Sequence, residues 1–107
     1  MVKDLKPAEF FERRAAGEPM TLLDVREAWE IGVAPAPTEV VHIPMGEISD
    51  RLKELDPNQE TVVICRSGGR SGQVAQFLDA RGFKSVANLT GGILAWSRDL
   101  DPSIPQY

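Results

Sequence analysis

One cysteine and one histidine are all that this 107-residue chain holds of the side chains that most often bind transition metals. Zinc ligation needs several such ligands, and a lone thiol has no partner for an internal disulfide, so neither a metal nor a disulfide framework is expected. Long apolar runs are missing as well. The start, Met1-Val2-Lys3-Asp4-Leu5-Lys6, carries no apolar stretch. Nothing approaches the roughly 20 apolar residues that a bilayer requires, so neither a signal peptide nor a membrane span is expected. Positive charge is not in excess. Twelve Lys and Arg face 16 Asp and Glu, a net charge of -4 that lacks the basic face non-specific nucleic-acid binding needs. A free thiol in such a chain suits a reducing, cytoplasmic setting. The 42% hydrophobic content is enough for a packed core and excludes disorder. The length predicts one domain over residues 1–107, with a core over 4–100 and a C-terminal tail over 101–107.

Against that sparse background, the place of the lone thiol is informative. The stretch Thr61-Val62-Val63-Ile64-Cys65-Arg66-Ser67-Gly68-Gly69-Arg70-Ser71 runs β-branched residues into Cys65, then a glycine-rich, doubly basic loop, then a helical pattern. Cationic neighbours and a helix N-terminus both lower a thiol's pKa from about 8.5 and make it nucleophilic. The bland alternative is an inert buried cysteine acting as a small hydrophobe. A strand, a tight loop and a helix start also make an anion cradle, because successive N–H groups converge and the helix dipole adds positive potential. Gly68 and Gly69 can take positive φ and let the backbone curl around a bound group. Arg70 adds a planar fork suited to oxyanions. On an acidic chain, the Arg66/Arg70 pair is a local basic patch able to attract small anions.

Periodicity orders the rest of the chain. A helix is expected from Pro7 to Ala16, stopped at Gly17, with Ala8, Phe11 and Ala15 on one face and a Glu9–Arg13 pair. Strands are expected over 21–25, 39–43, 61–65 and 85–89, the third buried on both faces as central parallel strands are. Helices are expected over 27–31, 47–55 (Ile48, Leu52 and Leu55 inward), 71–81 and 93–100, with Gly82 stopping the third. This alternation predicts a three-layer α/β/α domain around a mostly parallel sheet of about five strands. Ligands in such folds bind beyond the C-terminal strand ends, where both Cys65 and the Asp24–Arg26 segment fall.

Four segments together resemble the rhodanese (sulfurtransferase) family. The Cys65-to-Arg70 loop, with four residues between, is similar to the family's active-site loop. Leu23-Asp24-Val25-Arg26-Glu27 resembles its Asp-x-Arg strand end, and His42-Ile43-Pro44 its His-Ile-Pro segment. Leu89-Thr90-Gly91-Gly92-Ile93-Leu94-Ala95-Trp96 resembles its Gly-Gly-x-x-Ala-Trp element. They occur in the family's order over nearly the whole chain. One departure lies at Val41, where the family usually has glycine before the histidine, with Met45-Gly46-Glu47 following.

The resemblance implies transfer of a sulfane sulfur from thiosulfate or a related anionic donor through a persulfide on Cys65. The acceptor would be a thiol, cyanide or a protein, and no cofactor is implied. Arg66, Ser67, Gly68, Gly69, Arg70 and Ser71 would bind the donor. From their place at a strand end, Asp24 and Arg26 read either as support for the Cys65 loop, through a hydrogen bond or ion pair with Arg70, or as a local cap between strand and short helix. Nothing in the spacing sets His42 beside Cys65, so a hydrogen-bonded structural role is the simpler reading. Two other readings remain. A phosphatase or arsenate reductase on this fold is implied to carry five residues in the loop, one more than here. A sulfur-relay or non-catalytic partner-binding module would keep the fold, and the non-catalytic version would be expected to lose the cysteine.

Overall fold

Extended segments cannot satisfy their backbone groups alone, and here five of them pair side by side. In the computed structural model, which describes residues 1–107, the strands are β1 (Lys3–Leu5), β2 (Met20–Asp24), β3 (Val41–His42), β4 (Glu60–Ile64) and β5 (Val86–Leu89). They form one sheet in the order β1-β5-β4-β2-β3, and every pairing is parallel. Register sets Leu22 beside Val62 and Val62 beside Ala87, so the middle of the sheet is a band of aliphatic side chains.

Strand alternation sends successive side chains to opposite faces and divides the core in two. Leu22, Val62, Ile64, Ala87 and Leu89 pack beneath α1 (Pro7–Ala15) and α4 (Gly92–Asp99), with Phe10, Ile93 and Trp96. Phe10 and Trp96 meet edge to face with centroids 5.7 Å apart. Leu23, Val63, Cys65 and Val86 face the other way, against Val74, Ala75 and Leu78 of α3 (Gly69–Ala80) and against Ile48 and Leu55. The result is the expected α/β architecture with helices on both faces. No helix is long and apolar enough to cross a membrane.

Several local expectations shift. On α1 the inward aromatic is Phe10, fully buried, while Phe11 is 57% exposed. Adjacent helix positions point about 100° apart, so a one-residue error of face inverts the assignment. Glu9 accepts from the Lys6 amide at 3.0 Å instead of pairing with Arg13, which reaches Glu18 and Glu60. The expected helix over 47–55 is two separate 3₁₀ turns, Met45–Glu47 and Leu52–Glu54. Gly46 and Asp50 are weak helix formers, and so short a segment gains little from propagation. It still buries Ile48 and Leu55, with Leu52 only partly covered. The strand expected over 39–43 shrinks to Val41–His42, an edge strand pairing only with β2. The short helix expected over 27–31 is α2 (Ala28–Val33), which passes through Gly32. β1 has no sequence signal of its own, since only Leu5 of its three residues is buried. The tail over 101–107 does more than lie on the surface. Ile104 is buried, its carbonyl accepts from Ser97 Oγ, and Tyr107 reaches the C-terminal end of the sheet.

Candidate functional site: a buried thiol in an amide-lined loop

Cys65 follows directly on β4, and its main chain is anchored from below. The carbonyls of Cys65 and Arg66 accept from the amides of Ile93 (2.9 Å) and Leu94 (3.1 Å). These amides lie in the first turn of α4, whose N–H groups have no intrahelical partner. So close an approach needs glycine. A Cβ on Gly92, at φ +60°, would lie 2.4 Å from the Cys65 carbonyl oxygen and 2.5 Å from that of Arg66. Gly91, at φ +77°, leaves room for Ala95, whose Cβ would be 2.5 Å from an added one. The Gly91-Gly92-x-x-Ala95-Trp96 segment is thus the floor on which the Cys65 loop rests, with Trp96 tying that floor to Phe10.

Above the floor the loop closes on the sulfur. Gly68 takes φ +107°, whereas Gly69 is simply the first residue of α3; only one of the two glycines uses the left-handed region. The Gly68 amide donates to Cys65 Sγ at 3.1 Å, and Ser71 Oγ stands 3.2 Å from the same atom. Ser71 Oγ also donates to Asn88 Oδ1 at 2.6 Å, and Asn88 Nδ2 donates to the Gly68 carbonyl at 3.1 Å. Cys65 is fully buried. Burial pushes the thiol's pKa up, but the Ser71 hydroxyl and the amides of Ser71, Gly68 and Ser67 together bring it below the ordinary value. A sulfur surrounded by N–H donors is a place where negative charge on sulfur is stabilised.

Around the loop, charges are paired off. Arg70 meets Glu30 of α2 through two hydrogen bonds of 2.7 Å. The hydrogen bonds from Arg70 outweigh the effect of burial and hold the Glu30 carboxyl down at about 2. Asp24 and Arg26, both fully buried, grip each other: Arg26 Nη2 donates to Asp24 Oδ2 at 2.9 Å, and the Arg26 amide donates to Asp24 Oδ1 at 3.0 Å. The expected Asp24/Arg26 contact with Arg70 is therefore absent. Within the Asp24-x-Arg26 turn the carboxylate already has a nearer cation, and Glu30 reaches Arg70 from the neighbouring helix. Tyr107 joins the two pairs. Its hydroxyl accepts from Arg26 Nη1 and donates to Glu30 Oε1, each at 3.0 Å. Arg66 donates through Nε to the main-chain oxygen of Tyr107 and lies 5.3 Å from the centroid of its ring. His42 Nε2 meets the Arg26 carbonyl at 2.7 Å. That oxygen can only accept, so Nε2 carries the proton and His42 serves the Asp24–Arg26 turn.

Cys65 through Ser71 thus lie together on one loop and the first turn of α3, with Asp24 and Arg26 close by through Tyr107. Glu30, Asn88 and Tyr107 were not visible as site residues in the sequence. Glu30 sits three residues after Glu27 and accepts its amide at 2.8 Å, so locally it looks like a helix cap. Asn88 reads as one polar residue in a short strand. Trp29, two-thirds exposed, stands edge-on to Tyr107 with centroids 6.3 Å apart and belongs to the rim of this region.

Comparison with known proteins converges on one family. The Rhodanese-like domain profile matches residues 6–99. A Bacillus subtilis protein, YtwF, whose name assigns it provisionally to the sulfurtransferases, is 42% identical over 101 residues, covering 94% of this chain and 96% of its own. A protein from Allochromatium vinosum named Sulfurtransferase is 36% identical over 98 residues, covering 92% of this chain and 91% of its own. Among solved structures, a rhodanese-like domain protein from Staphylococcus aureus superposes with a TM-score of 0.81 at 29% identity, covering 89% of this chain and 91% of that one.

Proposed function

The chain belongs to the rhodanese-like domain family and its activity is sulfur transfer; we propose that it carries sulfane sulfur from thiosulfate to an external nucleophile as a persulfide on Cys65. The observation that carries this reading is the sulfur of Cys65 held 3.1 Å from the Gly68 amide at the focus of the loop. In the first step the Cys65 thiolate attacks the outer sulfur of thiosulfate. A bond forms between the two sulfurs, the sulfur–sulfur bond of the donor breaks, and its electron pair leaves on sulfite. The negative charge then sits on the outer sulfur of the persulfide, where the loop N–H groups from Arg66 to Ser71 stabilise it. Preorganised donors of this kind commonly contribute about 3 kcal/mol each to a charged transition state.

In the second step an acceptor nucleophile attacks that outer sulfur, and Cys65 leaves as thiolate. With cyanide the product is thiocyanate. With a single cysteine in the chain no second thiol of its own can resolve the persulfide, so the acceptor is external: cyanide, a small thiol or a protein. A lone thiol of this kind suits a reducing, cytoplasmic compartment. Arg66 attracts the sulfonate end of the donor, exchanging its contact with Tyr107 for the anion. Arg70, neutralised by Glu30, braces the loop instead of binding the donor directly. The short loop favours sulfur over phosphate, since four residues between Cys65 and Arg70 enclose less space than five.

The test is thiosulfate–cyanide turnover of the wild type against Cys65→Ser. Thiocyanate formed by the wild type and lost in the variant is expected. Turnover retained by the variant would remove Cys65 from the reaction.

A further inference from the structure

The contacts around Cys65 form a closed circuit whose direction can be worked out. The Gly68 carbonyl can only accept, so the Asn88 amide must turn its NH₂ toward it. That leaves Asn88 Oδ1 facing Ser71, and an amide oxygen can only accept, so the one hydroxyl proton of Ser71 points at Asn88, 2.6 Å away. Ser71 Oγ then offers Cys65 Sγ, 3.2 Å away, only a lone pair. The thiol proton fills that gap. The circuit runs from the Cys65 thiol to Ser71, to Asn88, to the Gly68 carbonyl, and the Gly68 amide returns to Sγ at 3.1 Å. A thiolate cannot occupy the same arrangement, because two acceptors would then face each other across Ser71 Oγ and Sγ. Ionisation obliges the Ser71 hydroxyl to swing from Asn88 to the sulfur.

We propose that Asn88 is a positioning residue that competes with Cys65 for the Ser71 proton and so sets when the thiol ionises. Asn88 belongs to β5 and touches neither donor nor acceptor; it acts only through Ser71. The surroundings support this role. Gly72 leaves the space Asn88 occupies, since a Cβ there would lie 3.3 Å from Nδ2. The Gly68 carbonyl also accepts from the Gly72 amide at 3.1 Å, so the loop keeps an anchor without Asn88. The charged groups near this end of the sheet are Asp24 and Arg26 at the end of β2, Glu30 from α2, Arg66 from the loop and Arg70 from α3, with Tyr107 from the tail. The first two and Glu30 with Arg70 form closed ion pairs, and Arg66 faces Tyr107. The neutral Ser71–Asn88 contact is therefore the adjustable one. A thiolate too strongly stabilised is a poor nucleophile, because intrinsic reactivity falls with pKa. Asn88 limits that stabilisation. Its role in turnover rests on the persulfide proposal, since a persulfide moves charge to the outer sulfur and lets the hydroxyl return to Asn88.

The test reads protons and needs no sulfur donor, so it and the persulfide proposal fail separately. The thiolate is titrated by its ultraviolet absorbance and by the pH dependence of iodoacetamide alkylation in wild type, Ser71→Ala, Asn88→Ala and the double variant. Ser71→Ala should raise the midpoint by about one pH unit, and Asn88→Ala should lower it by about half a unit. In the Ser71→Ala background Asn88→Ala should have no further effect. A rise with Asn88→Ala, or an equal shift in both backgrounds, would show that Asn88 only supports the loop and would overturn the proposal. A measurement on the unaltered chain guards against misfolded variants. The side-chain amide signals of Asn88 in NMR should titrate with the Cys65 midpoint and stop doing so in Ser71→Ala; signals that stay flat in wild type contradict the circuit.

Discussion

Glu30 meets Arg70 through two parallel hydrogen bonds of 2.7 Å, so the arginine that closes the Cys65 loop is already matched by a carboxylate from another element. The pair makes stability depend on pH with a definite sign. The hydrogen bonds from Arg70 depress the Glu30 carboxyl from its ordinary 4.5 to about 2. A depressed carboxylate stabilises the fold fully above its unfolded pKa, and that contribution is lost as pH falls through the folded one. Urea unfolding at a series of pH values should therefore show stability falling between pH 4.5 and 2. Glu30→Gln should lose about 2 kcal/mol at neutral pH and flatten that fall, the figure being discounted because Arg70 is partly exposed. A variant with the slope of the wild type would contradict the assignment.

Arg66 and Arg70 should fail differently. The Arg66 side chain hydrogen-bonds to Tyr107 and is free to exchange that contact for an anion, so Arg66→Ala should raise KM for thiosulfate about tenfold with kcat nearly unchanged. Arg70→Ala leaves Glu30 buried without its cation and should lower kcat/KM about a hundredfold, together with thermal stability. Steady-state kinetics on both variants separate the roles, and equal small effects would refute the division.

Gly92→Ala tests the floor of the site. Its Cβ would sit 2.4 Å from the Cys65 carbonyl oxygen in a left-handed backbone conformation, so a loss of about 2–4 kcal/mol in denaturant unfolding is expected. Gly17→Ala shares the positive φ but has open space around it, and should lose only about 1 kcal/mol. Similar losses at the two positions would mean that the close approach to Cys65 is unimportant.

Tyr107→Phe removes the hydroxyl that joins the two ion pairs. Arg26 Nη1 is left without its acceptor, at an expected loss of about 1–2 kcal/mol. Chemical unfolding of the variant checks this. An unchanged midpoint would mean that the link adds nothing.

Much of this arrangement is legible in the sequence. Cys65 to Ser71 is contiguous, and its glycines and arginines mark a loop that curls around an anion. The strand over 61–65 and the helix after it follow from periodicity that tertiary contacts reinforce. The partners that arrive from elsewhere were not legible. Glu30 lies 40 positions from Arg70, and its spacing from Glu27 explains it as a cap. Asn88 and Tyr107 gain their roles only when β5 and the tail come beside the loop. The Asp24–Arg26 pair folds back on its own turn, as a local cap does, and sequence spacing alone does not separate that from a contact with Arg70. On α1 and over residues 47–55 the spacing misleads on face and on helix type, because Phe10 stands beside Phe11 and weak helix formers interrupt an otherwise suitable apolar spacing.

The measurement that tests the central claim most directly is the intact mass of the chain after incubation with thiosulfate and removal of excess donor. The account predicts a gain of one sulfur atom on the wild type, reversed by cyanide with release of one thiocyanate, and no gain on Cys65→Ser. A wild-type chain that stays at its original mass, or a Cys65→Ser chain that still takes up sulfur, would contradict a persulfide on Cys65.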